Sequence, residues 1–248
     1  MLISCSDAIQ YKQVSDDFSN VETTADKKNI DSLLNSIPKY SEICRNIRLN
    51  KVGFDKNLIL DYRTAELYQN SKETSFAMGM FIADLGYARY FEKVQVCTDI
   101  LDATRTMAGK LAVGNDIFAE YVPVIEENLN NEQVIFATID SLLNSNTIVP
   151  SENEKYGISA LFISGFWVET THLGLSQDFE ANAANTENLE NHFKILHQIN
   201  ELLSQMSDND VIESVKSQLL EIEGKGSSSS TLIADIENIR NNIVKTLN

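Results

Sequence analysis

A chain of 248 residues with only 10 Gly and 3 Pro lacks the punctuation of a β-sandwich or barrel, where turns recur every ~8–12 residues. Its net charge of −16 and pI near 4.5 oppose nucleic-acid phosphates and anionic lipid headgroups. The apolar share of 43% with 23% charged residues is that of a globular chain with a sizeable core.

The chain opens Met1-Leu2-Ile3-Ser4-Cys5-Ser6. Leu2 three places before Cys5 and a small Ser4 directly before it resemble a bacterial lipobox. On that reading residues 1–4 are the remnant of a signal peptide whose basic and apolar regions lie upstream, and Cys5 carries the lipid. The alternative is a chance match at a cytosolic N-terminus. Residues 6–29 are polar, rich in Ser, Thr and Asp and without periodicity, so residues 5–29 read as a flexible tether. Several acyl chains on one cysteine suffice for anchoring where a single chain is marginal. Cys44 and Cys97 form no Cys-x-x-Cys pair, so neither a zinc ribbon nor a thioredoxin-like site is supported.

From residue 30 onward helix signals dominate. A short helix starts at Ile30 and breaks near Pro38. Residues 40–49 place Tyr40, Ile43, Cys44 and Ile47 at i, i+3, i+4 and i+7. Residues 56–69 continue the pattern through Leu58, Leu60, Tyr62 and Leu67. Ser71 is read as the cap of a long helix ending about Phe91, with Glu73 in its first turn where the macrodipole favours an acid. Residues 92–113 form the next helix and 115–129 another, with a kink or short break at Pro123. Asn130-Asn131 is a turn, 132–143 a helix, and 144–154 a loop around Pro150. The longest apolar run, residues 157–168, is 12 residues. That is short of the ~18 needed to span a membrane and predicts a buried helix within 155–175. Amphipathic helices follow at 186–206 and 208–222. Residues 224–230 (GKGSSSS) read as a flexible linker, and residues 231–247 as a last helix.

The two most apolar helices share a pattern. Both are aromatic, carry glycine inside the helix and hold one acid, Asp84 in the first and Glu169 in the second. An offset of 85 aligns the acids and one of 86 aligns Gly79 with Gly165. The residues alone leave that choice open. The fold class expected is all-α, an array of antiparallel helical hairpins with two candidate pseudo-repeats. Gly79, Ala83 and Gly86 form a small-residue stripe that invites close approach by another helix.

The stretch GMFIADLGYARYFEKVQVCTDILDATRTMAGKL, with GFWVETTHLGL further on, resembles a family of uncharacterised Bacteroidetes lipoproteins. Gly79, Ala83, Asp84, Leu85 and Tyr87 match its first helix. Gly165, Trp167, Val168 and Glu169 match its second, where Thr170 and Thr171 depart from the family's Gly-Leu. The resemblance covers about 60% of the chain. It implies an all-helical envelope lipoprotein and brings no activity with it.

Candidate chemistry is sparse. Glu169 and His172 form a Glu-x-x-His, which sets carboxylate and imidazole on one helix face, as in di-iron bundles. Such a site needs a second Glu-x-x-His and further carboxylates, and the chain has only three histidines. His192 and His197 lie about 140° apart around their helix and do not converge. No phosphate loop, dinucleotide fingerprint or Gly-x-Ser-x-Gly occurs. Asp84 and Glu169 would be costly if buried unpaired, so pairing with Arg89 or Arg105, or capping of a helix end, is the plain structural reading. The functional reading is one inter-helix cavity that binds a small molecule or protein, with Asp84, Tyr87, Trp167, Glu169 and His172 as its candidate ligand-binding residues. Neither a cofactor nor a metal is expected.

The expected function is that of a helical binding or scaffolding module of the cell envelope, residues 30–248, held to the membrane only through Cys5. A metal-dependent or acid/base enzyme using Asp84, Glu169 and His172, and a cytosolic structural protein, are the alternatives.

Overall fold

In the computed structural model, residues 27–37, 53–111, 115–144, 152–176, 183–206 and 210–245 are described. The N-terminal anchor and most of the tether, and the expected helix at 40–49, lie outside them. Among the described residues the secondary structure is helical, without a strand, and the fold is the all-α array of packed helices expected from the pattern.

After α1 (Lys27–Ser36) the chain makes a single 3-10 turn, Tyr62–Glu66. Two hairpins follow: α2 (Ser71–Tyr90) with α3 (Val94–Lys110), and α4 (Asn115–Glu127) with α5 (Glu132–Asn144). The second half opens with α6 (Glu152–Leu175), then α7 (Ala183–Ser204), α8 (Asp210–Lys225) and α9 (Leu232–Lys245). The strongest packing among the described residues is between α2 and α6, and α3, α7, α8 and α9 pack against this pair.

The reason lies in their composition. α2 is buried from Thr74 to Ala88 and α6 from Tyr156 to Leu173, on every side. A helix that is apolar all round has no face to give to water and must be central. The outer helices are amphipathic instead. α8, for example, buries Ile212, Val215, Leu219 and Ile222, a single stripe at helical spacing.

Two glycines set how closely the central pair packs. A Cβ on Gly79 would lie 2.0 Å from the Phe162 carbonyl oxygen, and one on Gly165 would lie 1.9 Å from that of Phe76. Backbone meets backbone at both points: Gly79 sits against Phe162 and Phe166, and Gly165 against Phe76. Ser75 and Ser164, beside the crossing, donate their hydroxyl protons to carbonyls four residues back, both at 2.7 Å. These buried polar groups are thus satisfied without a bulky partner.

Several local expectations are corrected. Residues 56–69 are not an α-helix. Asp55 and Asp61 capture the backbone N–H groups of Asn57 and Arg63, at 2.9 and 3.1 Å, and such side-chain bonds compete with helix formation. Lys110 then donates to the carbonyls of Ala65, Glu66 and Tyr68, at 3.1, 2.7 and 3.0 Å. The cap of α2 is Asn70 rather than Ser71; its side chain accepts from Lys72 N–H and Glu73 N–H. The short break that Pro123 could have made does not occur: the residue is exposed and sits inside α4.

The stretch 224–230 is not a loose linker either. α8 runs on through Gly224 to Lys225. Gly226, at φ 80, then donates its N–H back to the carbonyls of Ile222 and Glu223, the left-handed helix ending that glycine favours. Lys225 pairs with Asp235 at 3.0 Å, and the Thr231 hydroxyl donates to the same carboxylate at 2.8 Å. This turn aims α9 back onto α6 and α2.

Candidate functional site

Asp84 and Glu169 lie just over one helical turn beyond the crossing glycines, on helices whose backbones touch. Both are fully buried, and the charge of Glu169 acts directly on the Asp84 carboxyl. Whether they share a site, left open by the residues alone, is answered by the crossing: they do.

The charge partner is Arg240 of α9. Its Nε donates to Glu169 Oε2 at 2.6 Å and its Nη2 to Oε1 at 2.9 Å, a two-pronged fork. Nη2 also donates to the Leu58 carbonyl at 2.9 Å. On the other side Leu60 N–H donates to Asp84 Oδ2 at 2.9 Å. The segment expected to be helical around Leu58 and Leu60 thus spends its backbone groups on this cluster.

Burial, and then the negative charge of Glu169, push the Asp84 carboxyl well above the usual range; Arg240 and the Leu60 N–H act in the opposite sense without cancelling them. Asp84 Oδ1 accepts no hydrogen bond. A protonated Oδ1 donating to Glu169 accounts for both facts, and leaves one negative charge facing one guanidinium. Burial works against the charge on Arg240, but the adjacent Glu169 carboxylate raises its pKa all the same. An electrically balanced buried cluster is the form in which such groups are tolerated.

His172 follows Glu169 by one turn and is 6% exposed. Its pKa is lowered, first by burial, with Glu169 pulling the other way. Its Nε2 is buried without a hydrogen-bond partner among the described residues. The Tyr68 hydroxyl, buried and without a partner of good hydrogen-bond geometry among the described residues, is pushed up to about 12 by burial; Thr64 acts against the rise and Glu169 adds to it.

Of the five residues expected to line one cavity, three therefore converge: Asp84, Glu169 and His172. Tyr87 packs against Phe54 and Phe91, with ring centroids 5.3 and 5.1 Å away, and its hydroxyl oxygen accepts from Asp55 N–H at 3.0 Å. Trp167 lies two residues, about 200°, around α6 from Glu169. It stacks on His192 with centroids 5.0 Å apart and donates from Nε1 to the His192 carbonyl at 3.0 Å.

The expected charge partners differ as well. Arg105 pairs with Asp102 and Glu126 on the surface, and Arg89 leaves its Nε buried and unpartnered. The residue that sequence reasoning missed is Arg240. One signal was available. Arg240 stands four places after Ile236, on the stripe that α9 buries through Leu232, Ile236 and Ile239. A cation on a buried stripe asks for an acid opposite.

Chemically the cluster is a closed ion pair. Glu169 has both oxygens engaged by Arg240, and neither acid reaches the surface. Among the described residues no three His, Cys, Asp or Glu side chains are grouped to hold a metal ion. A cation would also have to displace the guanidinium already seated on Glu169.

His192 has a separate consequence. The Thr171 hydroxyl donates to the Trp167 carbonyl at 2.7 Å, so it accepts from His192 Nε2 at 2.6 Å and leaves Nδ1 bare. Burial lowers this imidazole from 6.5 to about 4. Between those values the unfolded chain binds the proton and the folded chain does not, so stability rises with pH across the window and is lost as pH falls through it. The full swing is about 3 kcal/mol. Urea titrations of wild type and His192→Phe should show the wild-type advantage shrinking by roughly that amount from pH 7 to pH 4. A constant difference would refute the neutral buried imidazole.

Comparison of the chain with protein-family models, with curated proteins and with solved structures finds no match.

Proposed function

We propose that this protein is a helical binding or scaffolding module of a bacterial cell envelope, held to the membrane by a lipid on Cys5, with the Asp84–Glu169–Arg240 cluster as its internal fastener. The observation that carries the fastener role is the two-pronged hold of Arg240 on a fully buried Glu169. It joins the last helix to the central one across 71 residues of sequence and engages both Glu169 oxygens. The envelope assignment rests on the lipobox-like Leu-Ile-Ser-Cys and on the resemblance to helical envelope lipoproteins. No described helix is long and apolar enough to cross a membrane, so attachment at Cys5 is the route this reading requires. The ligand, a protein or a small molecule, would be met between helices.

The test is metabolic labelling with palmitate in a bacterial host, with the chain expressed behind its own upstream sequence. Wild type should take up label and partition with membranes, and Cys5→Ala should do neither. Unlabelled wild type, or label that survives in Cys5→Ala, refutes the anchor and favours the cytosolic structural reading. The convergence of Asp84, Glu169 and His172 favours the acid/base enzyme as a second reading. Stoichiometric metal in the purified protein, lost in Asp84→Asn and His172→Ala, would establish it over the fastener.

A further inference from the structure

Two features of the Glu169–Arg240 pair go beyond holding a helix down. The first is the shape of the acceptor set. Glu169 Oε2 and Oε1 take Nε and Nη2 at 2.6 and 2.9 Å, and the Leu58 carbonyl takes a second Nη2 proton at 2.9 Å. Two acceptors meet one edge of a planar cation and a third takes the remaining Nη2 proton. A compact ammonium cannot meet both carboxylate oxygens in parallel in this way, and a guanidinium can. The second feature is what surrounds it. The Tyr68 hydroxyl and His172 Nε2, on residues 0% and 6% exposed, have no hydrogen-bond partner among the described residues. Both residues lie within electrostatic reach of Glu169 and Arg240.

The cation arrives on the last helix of the fold, beyond the Gly226 turn. The Glu169 side chain has no exposure, whereas that of Arg240 keeps 13%.

We propose that Glu169, the neighbouring Asp84 carboxyl and the Leu58 carbonyl form a guanidinium-binding site that Arg240 fills in cis. α9 is on this view a tethered ligand, and a free alkylguanidinium takes the site when Arg240 is removed. The inference does not depend on the Cys5 anchor, and loss of palmitate labelling would leave it standing.

The experiment uses the full chain carrying Arg240→Ala, with methylguanidinium chloride as the probe and methylammonium chloride at equal millimolar concentration as the control. Methylguanidinium should raise the melting temperature of R240A by roughly 4 °C or more at saturation, and methylammonium should not. Wild type, whose site is filled, should show no selective rise, and neither should the Glu169→Gln, Arg240→Ala double variant. Equal effects of the two cations on R240A overturn the proposal, as does a selective rise that persists in the double variant. If R240A does not fold in buffer, helical signal recovered on refolding replaces the melting temperature. Recovery with methylguanidinium alone supports the site, and failure to recover refutes it.

Discussion

Alanine at Gly79 or at Gly165 is expected to destabilise the protein by about 3 kcal/mol or more. The added methyl would sit 2.0 Å from the Phe162 oxygen or 1.9 Å from the Phe76 oxygen. Those atoms belong to helix backbone, so no side chain can rotate out of the way, and α2 and α6 must move apart along their whole contact. Mid-helix alanine is better than glycine by ~1 kcal/mol on propensity alone, so the observed loss would be what remains after that gain. Gly174 supplies the control. It lies in the same α6 with nothing within 4 Å of a built Cβ, and Gly174→Ala should stabilise by up to ~1 kcal/mol. Urea unfolding followed by circular dichroism measures all three. Similar values for G79A, G165A and G174A would show that the glycines do not set the crossing.

The buried cluster should respond very differently to its two ends. Arg240→Met leaves Glu169 without its cation and is expected to cost ~3–5 kcal/mol at pH 8. The loss should be smaller at pH 5. Without the guanidinium the folded site can be made neutral only by binding a second proton, while the unfolded acids, near their ordinary values, bind almost none at either pH. The folded state of R240M therefore holds more protons than the unfolded one, and its stability must fall as pH rises.

Asp84→Asn should be nearly silent, within ~1 kcal/mol at pH 5. Its carbonyl oxygen can accept from Leu60 N–H and its amide can donate to Glu169, as a protonated Asp84 does. At pH 8 D84N should be more stable than wild type. The raised Asp84 pKa makes wild type take up a proton on folding, so its stability is full at low pH and lost as pH rises toward the folded value; Asn carries no such dependence. A D84N variant as damaged as R240M at both pH values would mean that Asp84 is an ionised partner of Arg240, and the shared-proton arrangement would be wrong.

The helical boundaries and the candidate site were legible to different degrees. Helix α6 was plain because residues 157–168 carry no charge and only Ser159 and Ser164 break the apolar run, and α8 because its stripe repeats at i, i+3 and i+7. Gly79 and Gly165 could be marked as unusual from composition alone, since glycine inside a helix needs a reason. Residues 56–69 misled. Leu58, Leu60, Tyr62 and Leu67 mimic a helical stripe, but the backbone there is held by Asp55, Asp61, Asp84 and Arg240 instead. Trp167 and Tyr87 were grouped with the acids because they are neighbours in sequence. Two residues along a helix is more than half a turn, which sends Trp167 to His192 and away from Glu169.

By itself the sequence determined the all-α class, a buried helix within 155–175 and the two acids that needed an explanation. These are local properties, carried by periodicity, by the shortage of Gly and Pro and by charge inside apolar runs. Only the tertiary structure decided that each glycine lies against the backbone of the opposite helix, that Asp84 and Glu169 lie together, and that Arg240 rather than Arg89 or Arg105 balances them. A buried acid states only that it must have a partner. Which cation answers depends on which helix the packing lays across it, and here that helix is the last one in the chain.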